Sequence, residues 1–191
     1  MKTLRNISLS LTVVFLLSSF TSDSKKTDTS FIYPGENTEV NWKSFEKSIA
    51  LKDSGKKYFI FLYTDWCSWC KKMENTTLKD EKIVNLLNEK FVPVMFNAES
   101  KESIQFMGNE FKYVSQGTRG YHELAAALTN NQLSYPSIVF LDEQMNMIQP
   151  LPGYKSAEDL RIILTFLGDN IYEKMKFDEY YKQETGEELG G

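Results

Sequence analysis

The hydrophobic pattern along this chain changes period several times, and each change marks an element. Trp42, Phe45 and Ile49 recur at helical spacing, which predicts a first amphipathic helix ended by Asp53-Ser54-Gly55. Residues 58–63, Tyr-Phe-Ile-Phe-Leu-Tyr, are apolar without a break. A short apolar run bounded by turn residues suits a strand covered on both faces of a sheet. Thr64-Asp65-Trp66 closes that strand, and a helix is predicted to open at Cys67-Ser68-Trp69-Cys70 and continue to about Asn75. Thr76-Thr77-Leu78 interrupts it, and Ile83, Leu86 and Leu87 mark its resumption. Residues 91–96 repeat the buried-strand pattern. Strand, crossover helix and strand make a βαβ unit, expected to be parallel and right-handed.

Further along, residues 104–114 alternate apolar and polar around Gly108-Asn109, the signal of one small inserted hairpin. A helix is predicted over 120–128, with Tyr121, Leu124 and Leu128 on one face. Residues 137–141 form a third core strand, introduced by Tyr135-Pro136, and Asp142-Glu143 turns the chain into a fourth strand at 145–148, with Gly153 closing the hairpin. Ser156 resembles a helix cap followed by acid in the first turn. Leu160, Ile163, Leu164 and Leu167 supply that helix's core face, and a last helix is predicted over 170–182. The sum is an α/β domain with a central mixed sheet of four to five strands, helices on both faces and a small inserted hairpin.

The beginning of the chain reads differently. A basic start at Lys2 and Arg5 precedes an apolar run over 7–17 and small residues at 18–22. The run is shorter than the ~20 residues needed to span a bilayer. Residues 1–22 therefore read as an export signal, with an uncleaved anchor as the alternative. No cysteine precedes Cys67, so a lipid on an N-terminal cysteine is excluded. Residues 23–38 are polar and read as a flexible linker, 39–183 as the folded domain, and the acidic, glycine-rich 184–191 as a disordered tail. A periplasmic or extracellular location follows, where disulfide chemistry is possible. The 22 basic and 26 acidic residues are interleaved and leave a net charge of -4. With no basic stripe, a nucleic-acid partner is not expected.

The candidate chemistry lies at the only two cysteines, Cys67 and Cys70, at a strand-to-helix junction. A Cys-x-x-Cys pair beside a βαβ pattern reads as a redox dithiol. The helix N-terminus presents unpaired N–H groups and the positive end of the dipole, a field that stabilises a thiolate on Cys67. Cys70 stands one turn on, near enough to resolve a mixed disulfide. A structural disulfide would constrain only a very short loop. A zinc site needs about four ligands, and His122 is the only histidine; no metal site is assigned. A copper-handling dithiol stays open, because two thiolates suit soft metals. His122 itself reads as a surface or packing residue of the 120–128 helix.

The run from Phe59 to Lys71, with Trp66-Cys67-Ser68-Trp69-Cys70-Lys71 at its end, and Tyr135-Pro136-Ser137 before the third core strand, resembles the thioredoxin superfamily. The segment Cys67-Ser68-Trp69-Cys70-Lys71-Lys72-Met73-Glu74 is similar to exported thioredoxin-like proteins and to the C-terminal domain of membrane thiol–disulfide interchange proteins. The resemblance implies a thioredoxin-like fold over about 40–170. It makes Cys67 the nucleophile, Cys70 the resolving thiol, Trp66 a shield beside them and Pro136 a cis-proline facing them. A cis bond there leaves the Tyr135 backbone free to pair with an extended substrate strand, and Trp69 stands where it would contact partners. Glu74 matches an acidic position that could exchange a proton with a cysteine.

Two departures matter. Phe61 stands where thioredoxins usually carry a buried aspartate, and Ser68-Trp69 replaces Gly-Pro between the cysteines. The resemblance thus implies a protein thiol–disulfide oxidoreductase, more reductase or interchange than oxidase. No nucleotide- or flavin-binding fingerprint is present and no cofactor is expected, so electrons would come from a membrane protein. A monomer acting on protein thiols and disulfides is expected. The rival reading is a thioredoxin-fold module that binds a partner or copper without turnover.

Overall fold

The computed structural model describes residues 38–52 and 54–188. The segments read as signal and, apart from Thr38, as linker lie outside the described residues. In chain order, a short helix α1 (Phe45–Ile49) precedes strand β1 (Lys57–Tyr63) and helix α2 (Ser68–Asn75). A 3₁₀ turn, helix α3 (Glu81–Lys90) and strand β2 (Phe91–Asn97) complete the βαβ unit. Two short hairpins follow: β3 (Ile104–Phe106) with β4 (Asn109–Phe111), then β5 (Tyr113–Gln116) with β6 (Arg119–His122). Helix α4 (Glu123–Leu128) leads to β7 (Ser137–Leu141) and β8 (Met147–Pro152), and helices α5 (Ala157–Gly168) and α6 (Phe177–Thr185) end the chain. None of these helices is long and apolar enough to cross a membrane.

The main sheet has the order β2-β1-β7-β8. β1 pairs parallel with β2 and antiparallel with β7, so the sheet is mixed as expected. Period-2 alternation splits β1 between two cores. Phe59 and Phe61 face the layer of α2, α3 and α5 with Cys70, Met73, Leu87 and Leu160. Tyr58, Ile60 and Leu62 face α1, α4 and the first hairpin with Phe45, Phe106 and Leu124. All five of these β1 side chains are 0% exposed, and each contributes about 1.5–3 kcal/mol by leaving water. That two-sided burial is why 58–63 carry no polar residue. The outer strands carry the sheet's prolines, Pro93 in β2 and Pro150 and Pro152 in β8.

Side-chain caps set the helix starts. Asp80 accepts from the N–H groups of Lys82 and Ile83 at 3.0 and 3.2 Å, and Ser156 accepts from Asp159 N–H at 3.1 Å.

Four elements differ from the sequence reading. The insert is two hairpins, because β5–β6 pairs where a helix was expected to begin. Gly120 is the reason: a Cβ there would lie 2.3 Å from the Val114 carbonyl oxygen and 2.4 Å from the Tyr113 hydroxyl, so only glycine permits the crossing. Of the three residues placed on one helical face, Leu124 and Leu128 are on α4 but Tyr121 is in β6. His122 is the packing residue of the two alternatives expected, fully buried, but it ends β6 and caps α4 instead of lying on that helix: its Nδ1 accepts from Leu124 N–H at 3.1 Å while Nε2 meets the Glu102 carbonyl at 2.9 Å. Strand β8 begins later and runs further than 145–148, since residues 142–146 form a turn held by the Asp142 carboxylate. The helix expected over 170–182 is a 3₁₀ turn and then α6, which continues to Thr185.

Candidate active site

The site lies where β1 hands over to α2. Cys67 is the N-cap residue of α2, with extended backbone (φ -76°, ψ 105°), and its N–H donates to the Thr64 carbonyl at 3.1 Å. Its Sγ accepts from the Cys70 N–H at 3.0 Å. A sulfur thus occupies the place that a serine or aspartate oxygen takes at an ordinary cap, and the dipole field acts on it directly. Cys67 and Cys70 are joined as a disulfide, with Cα atoms 5.3 Å apart. Cys70 is wholly buried, and Cys67 is 4% exposed.

Sheet register brings the second part of the site to the same place. Leu62, near the end of β1, pairs with Ser137 at the start of β7, so the residues just before β7 stand at the sheet end that carries the cysteines. Those residues are Tyr135 and Pro136, joined by a cis peptide bond. Pro136 is buried and its carbonyl accepts from Gly153 N–H at 2.8 Å. Tyr135 meets Trp66 edge to face at 6.1 Å. Burial, with the Glu99 charge adding to it, pushes the Tyr135 phenol up to about 12. At neutral pH that hydroxyl is therefore a neutral donor.

Two tryptophans flank the disulfide, and both are among the most exposed large apolar side chains described, Trp66 at 49% and Trp69 at 54%. Trp66 is fixed on three sides. Its Nε1–H donates to Glu99 Oε1 at 3.0 Å, Tyr135 abuts its ring, and the Arg119 guanidinium lies 4.3 Å from its ring centre. Trp69 packs against Tyr154 at 5.6 Å, and Lys72 Nζ lies 4.5 Å from the Trp69 ring centre and 5.0 Å from that of Tyr154.

A model of the thioredoxin-like domain matches residues 44–168. The chain belongs to that family. A thioredoxin-fold protein from Helicobacter pylori superposes with a TM-score of 0.55 at 19% identity, over 81% of this chain and 96% of that one. A thioredoxin from Thermus thermophilus gives 0.51 at 18% identity, over 68% and 87%. At such identities the likeness is one of fold. Spermatogenesis-associated protein 20 of Rattus norvegicus is 34% identical over 70 residues, which are 34% of this chain and 8% of that protein. The chain therefore spans less than a tenth of that relative's length.

Within the thioredoxin-like frame, the departures at the site take physical form. Phe61 is fully buried at the position of the missing aspartate, its ring between Trp42 and Tyr63 at 6.3 Å from each. Glu74 follows Cys70 by one turn of α2 and is half-buried, lining a recess with Trp42, Val40 and Met95. Burial raises its carboxyl above the ordinary range, and the Lys71 charge opposes this. The Thr64 hydroxyl is buried with no hydrogen-bond partner among the described residues. Of the residues named from sequence, Cys67 and Cys70 are bonded to each other, Trp66 meets Tyr135, Tyr135-Pro136 stands at the same sheet end, Trp69 packs on Tyr154, and Glu74 lines the recess beside Trp42. Sequence reading missed Glu99, Arg119, Lys72 and Tyr154 as neighbours of the tryptophans. Lys72 alone had a local signal, standing three residues beyond Trp69 on the same helix.

Proposed function

We propose that this protein is an extracytoplasmic thiol–disulfide oxidoreductase that reduces or interchanges disulfides in other proteins. The observation that carries the proposal is the Cys67 sulfur at the N-cap of α2, bonded to a buried Cys70 at the sheet end that also carries Tyr135 and Pro136.

In the reducing direction, the Cys67 thiolate attacks one sulfur of the substrate disulfide. A Cys67–substrate bond forms, and the other substrate sulfur leaves as a thiolate that takes up a proton. Cys70, losing its proton, then attacks the Cys67 sulfur. The second substrate thiol is released, and the Cys67–Cys70 disulfide holds the two electrons' worth of oxidation. Glu74 is the group proposed to exchange the Cys70 proton, since Phe61 removes the usual alternative. The Tyr135 backbone would pair with an extended substrate segment, with Trp66 and Trp69 as walls. The cycle closes when a membrane thiol donor returns Cys67 and Cys70 to the dithiol, the protein acting as a single chain. The basic, then apolar, then small-residue pattern over 1–22 supports the location.

The test is trapping. A Cys70→Ala protein exposed to proteins of its own compartment should accumulate mixed disulfides on Cys67 that dithiothreitol releases, and Cys67→Ala should form none. A Cys70→Ala protein that captures nothing overturns the proposal.

A further inference from the structure

The two tryptophans are usually valued for apolar contact, yet here each exposed ring is topped by a cation. Arg119 covers Trp66 from the β5–β6 hairpin, and Lys72 covers Trp69 and Tyr154 from α2. The tryptophans they cover, Trp66 and Trp69, stand either side of Cys67 in the chain. Both side chains are exposed. Among the described residues, neither makes an ion pair. Of the carboxylates beside Trp66, Glu99 accepts from its indole and Asp65 accepts from Asn97 Nδ2 at 3.3 Å, and neither forms an ion pair with Arg119.

The hairpin holds Arg119 in place from its base. His122 N–H donates to the Ala98 carbonyl at 2.7 Å, and Lys112 N–H donates to the Glu123 carboxylate at 2.7 Å. Arg119 itself pairs with Gln116 across the tip, where Gly117 turns the chain at φ +63°. A guanidinium stacked on an indole keeps its in-plane N–H groups free, in the fork geometry that matches a carboxylate. The Lys72 ammonium lies over two rings and likewise keeps donors toward solvent.

Resting on the oxidoreductase reading above, we infer that Arg119 and Lys72 select substrates: the preferred cysteine lies in an acidic segment, with carboxylates on both sides of it. One carboxylate bonds Arg119 and the other Lys72, while the cysteine meets Cys67 between them. The exchange step itself is unchanged. The substrate disulfide is reduced to two thiols, Cys67 and Cys70 are oxidised to the disulfide, and dithiothreitol restores them in the assay.

The test uses three disulfide-linked peptides of equal length, with the cysteine flanked on both sides by Glu, by Gln or by Lys. With the protein kept reduced by dithiothreitol, kcat/KM should fall in the order Glu, Gln, Lys. The Glu peptide should exceed the Lys peptide about tenfold at about 50 mM salt, as expected for two exposed charge pairs aided by steering, and the gap should narrow at about 300 mM. The Arg119→Gln, Lys72→Gln double variant should bring the ratio near one, whereas Lys52→Gln, a charge removed before β1, should leave it intact. Equal rates for the three peptides, or a ratio that survives the double variant, would overturn the inference. Binding of Cys→Ser versions of the peptides, read by tryptophan fluorescence, separates the two readings. Failure to turn over any peptide or 2-hydroxyethyl disulfide sinks the oxidoreductase reading. The order of binding still decides the charge preference in that case.

Discussion

Among single residues, Glu74 and Gly120 each carry a test. Burial raises the Glu74 carboxyl from its ordinary 4.5, so it keeps its proton to higher pH than an exposed glutamate. If it takes the Cys70 proton, resolution of the mixed disulfide speeds up as pH rises through that raised value. Glu74→Gln should remove this step from the pH–rate profile and slow resolution about three- to tenfold above it, as stopped-flow quenching would show. A profile that keeps its step in the variant would assign the proton elsewhere. At Gly120 the constraint is steric. Gly120→Ala places a methyl against the Val114 carbonyl and the Tyr113 ring. It should cost about 1–3 kcal/mol in urea unfolding, and weaken the Arg119–Trp66 stack with it. The Cys67–Cys70 pair could be read from its spacing, whereas Trp66, Trp69 and Tyr135-Pro136 were named only through the thioredoxin resemblance. Arg119 could be read from neither, since its partner Trp66 lies far away in the chain and only the folded hairpin joins them.

At the scale of elements, legibility followed burial on one or two faces. β1, β2 and β7 were plain because each is an apolar run buried on both sides, and α5 was plain because its apolar residues keep one period. The insert was misread because β3 to β6 are only three or four residues each, too short for a period to declare itself. Its anchor was hidden too. A histidine is a rare helix cap, and His122 takes the role because its buried ring reaches Leu124 N–H on one side and the Glu102 carbonyl on the other. With Nδ1 accepting, Nε2 is the nitrogen that donates to that carbonyl. His122→Ala removes both bonds and leaves a space beside Phe96, whose ring centre is 5.2 Å away. It should cost about 2–4 kcal/mol by denaturant titration, and His122→Asn, which can still cap α4, should recover part of that.

Across the whole molecule, the redox end of the sheet is matched by a polar lock at the other. Lys57, at the start of β1 and with its side chain only 5% exposed, donates to Glu143 at 2.7 Å and to Asn170 Oδ1 at 2.5 Å. Burial alone would lower the Lys57 ammonium, but the hydrogen bond and charge of Glu143 outweigh it and hold it above 10.5. Burial likewise presses the Glu143 carboxyl up, and Lys57 with a backbone bond holds it below 4.5. A lowered carboxyl stabilises the fold above its unfolded value and loses that contribution as pH falls through the folded one; a raised ammonium loses its contribution only as pH rises beyond the alkaline range. Stability should therefore drop below about pH 4.5 in wild type. Glu143→Gln should cost about 1–2 kcal/mol at pH 7, with a flatter profile between about pH 5 and 3. Equal acid slopes in the two proteins would remove Glu143 from the account. The lock was invisible in sequence because the partners of Lys57, Glu143 and Asn170, lie 86 and 113 residues away in the chain. The border strands have a consequence of their own. Pro93, Pro150 and Pro152 offer no N–H, so a foreign strand laid along either margin would find rungs missing from the ladder. Under the proposed function, in which the protein meets cysteine-bearing chains, this would disfavour edge-wise accretion and leave the cysteine end as the docking place.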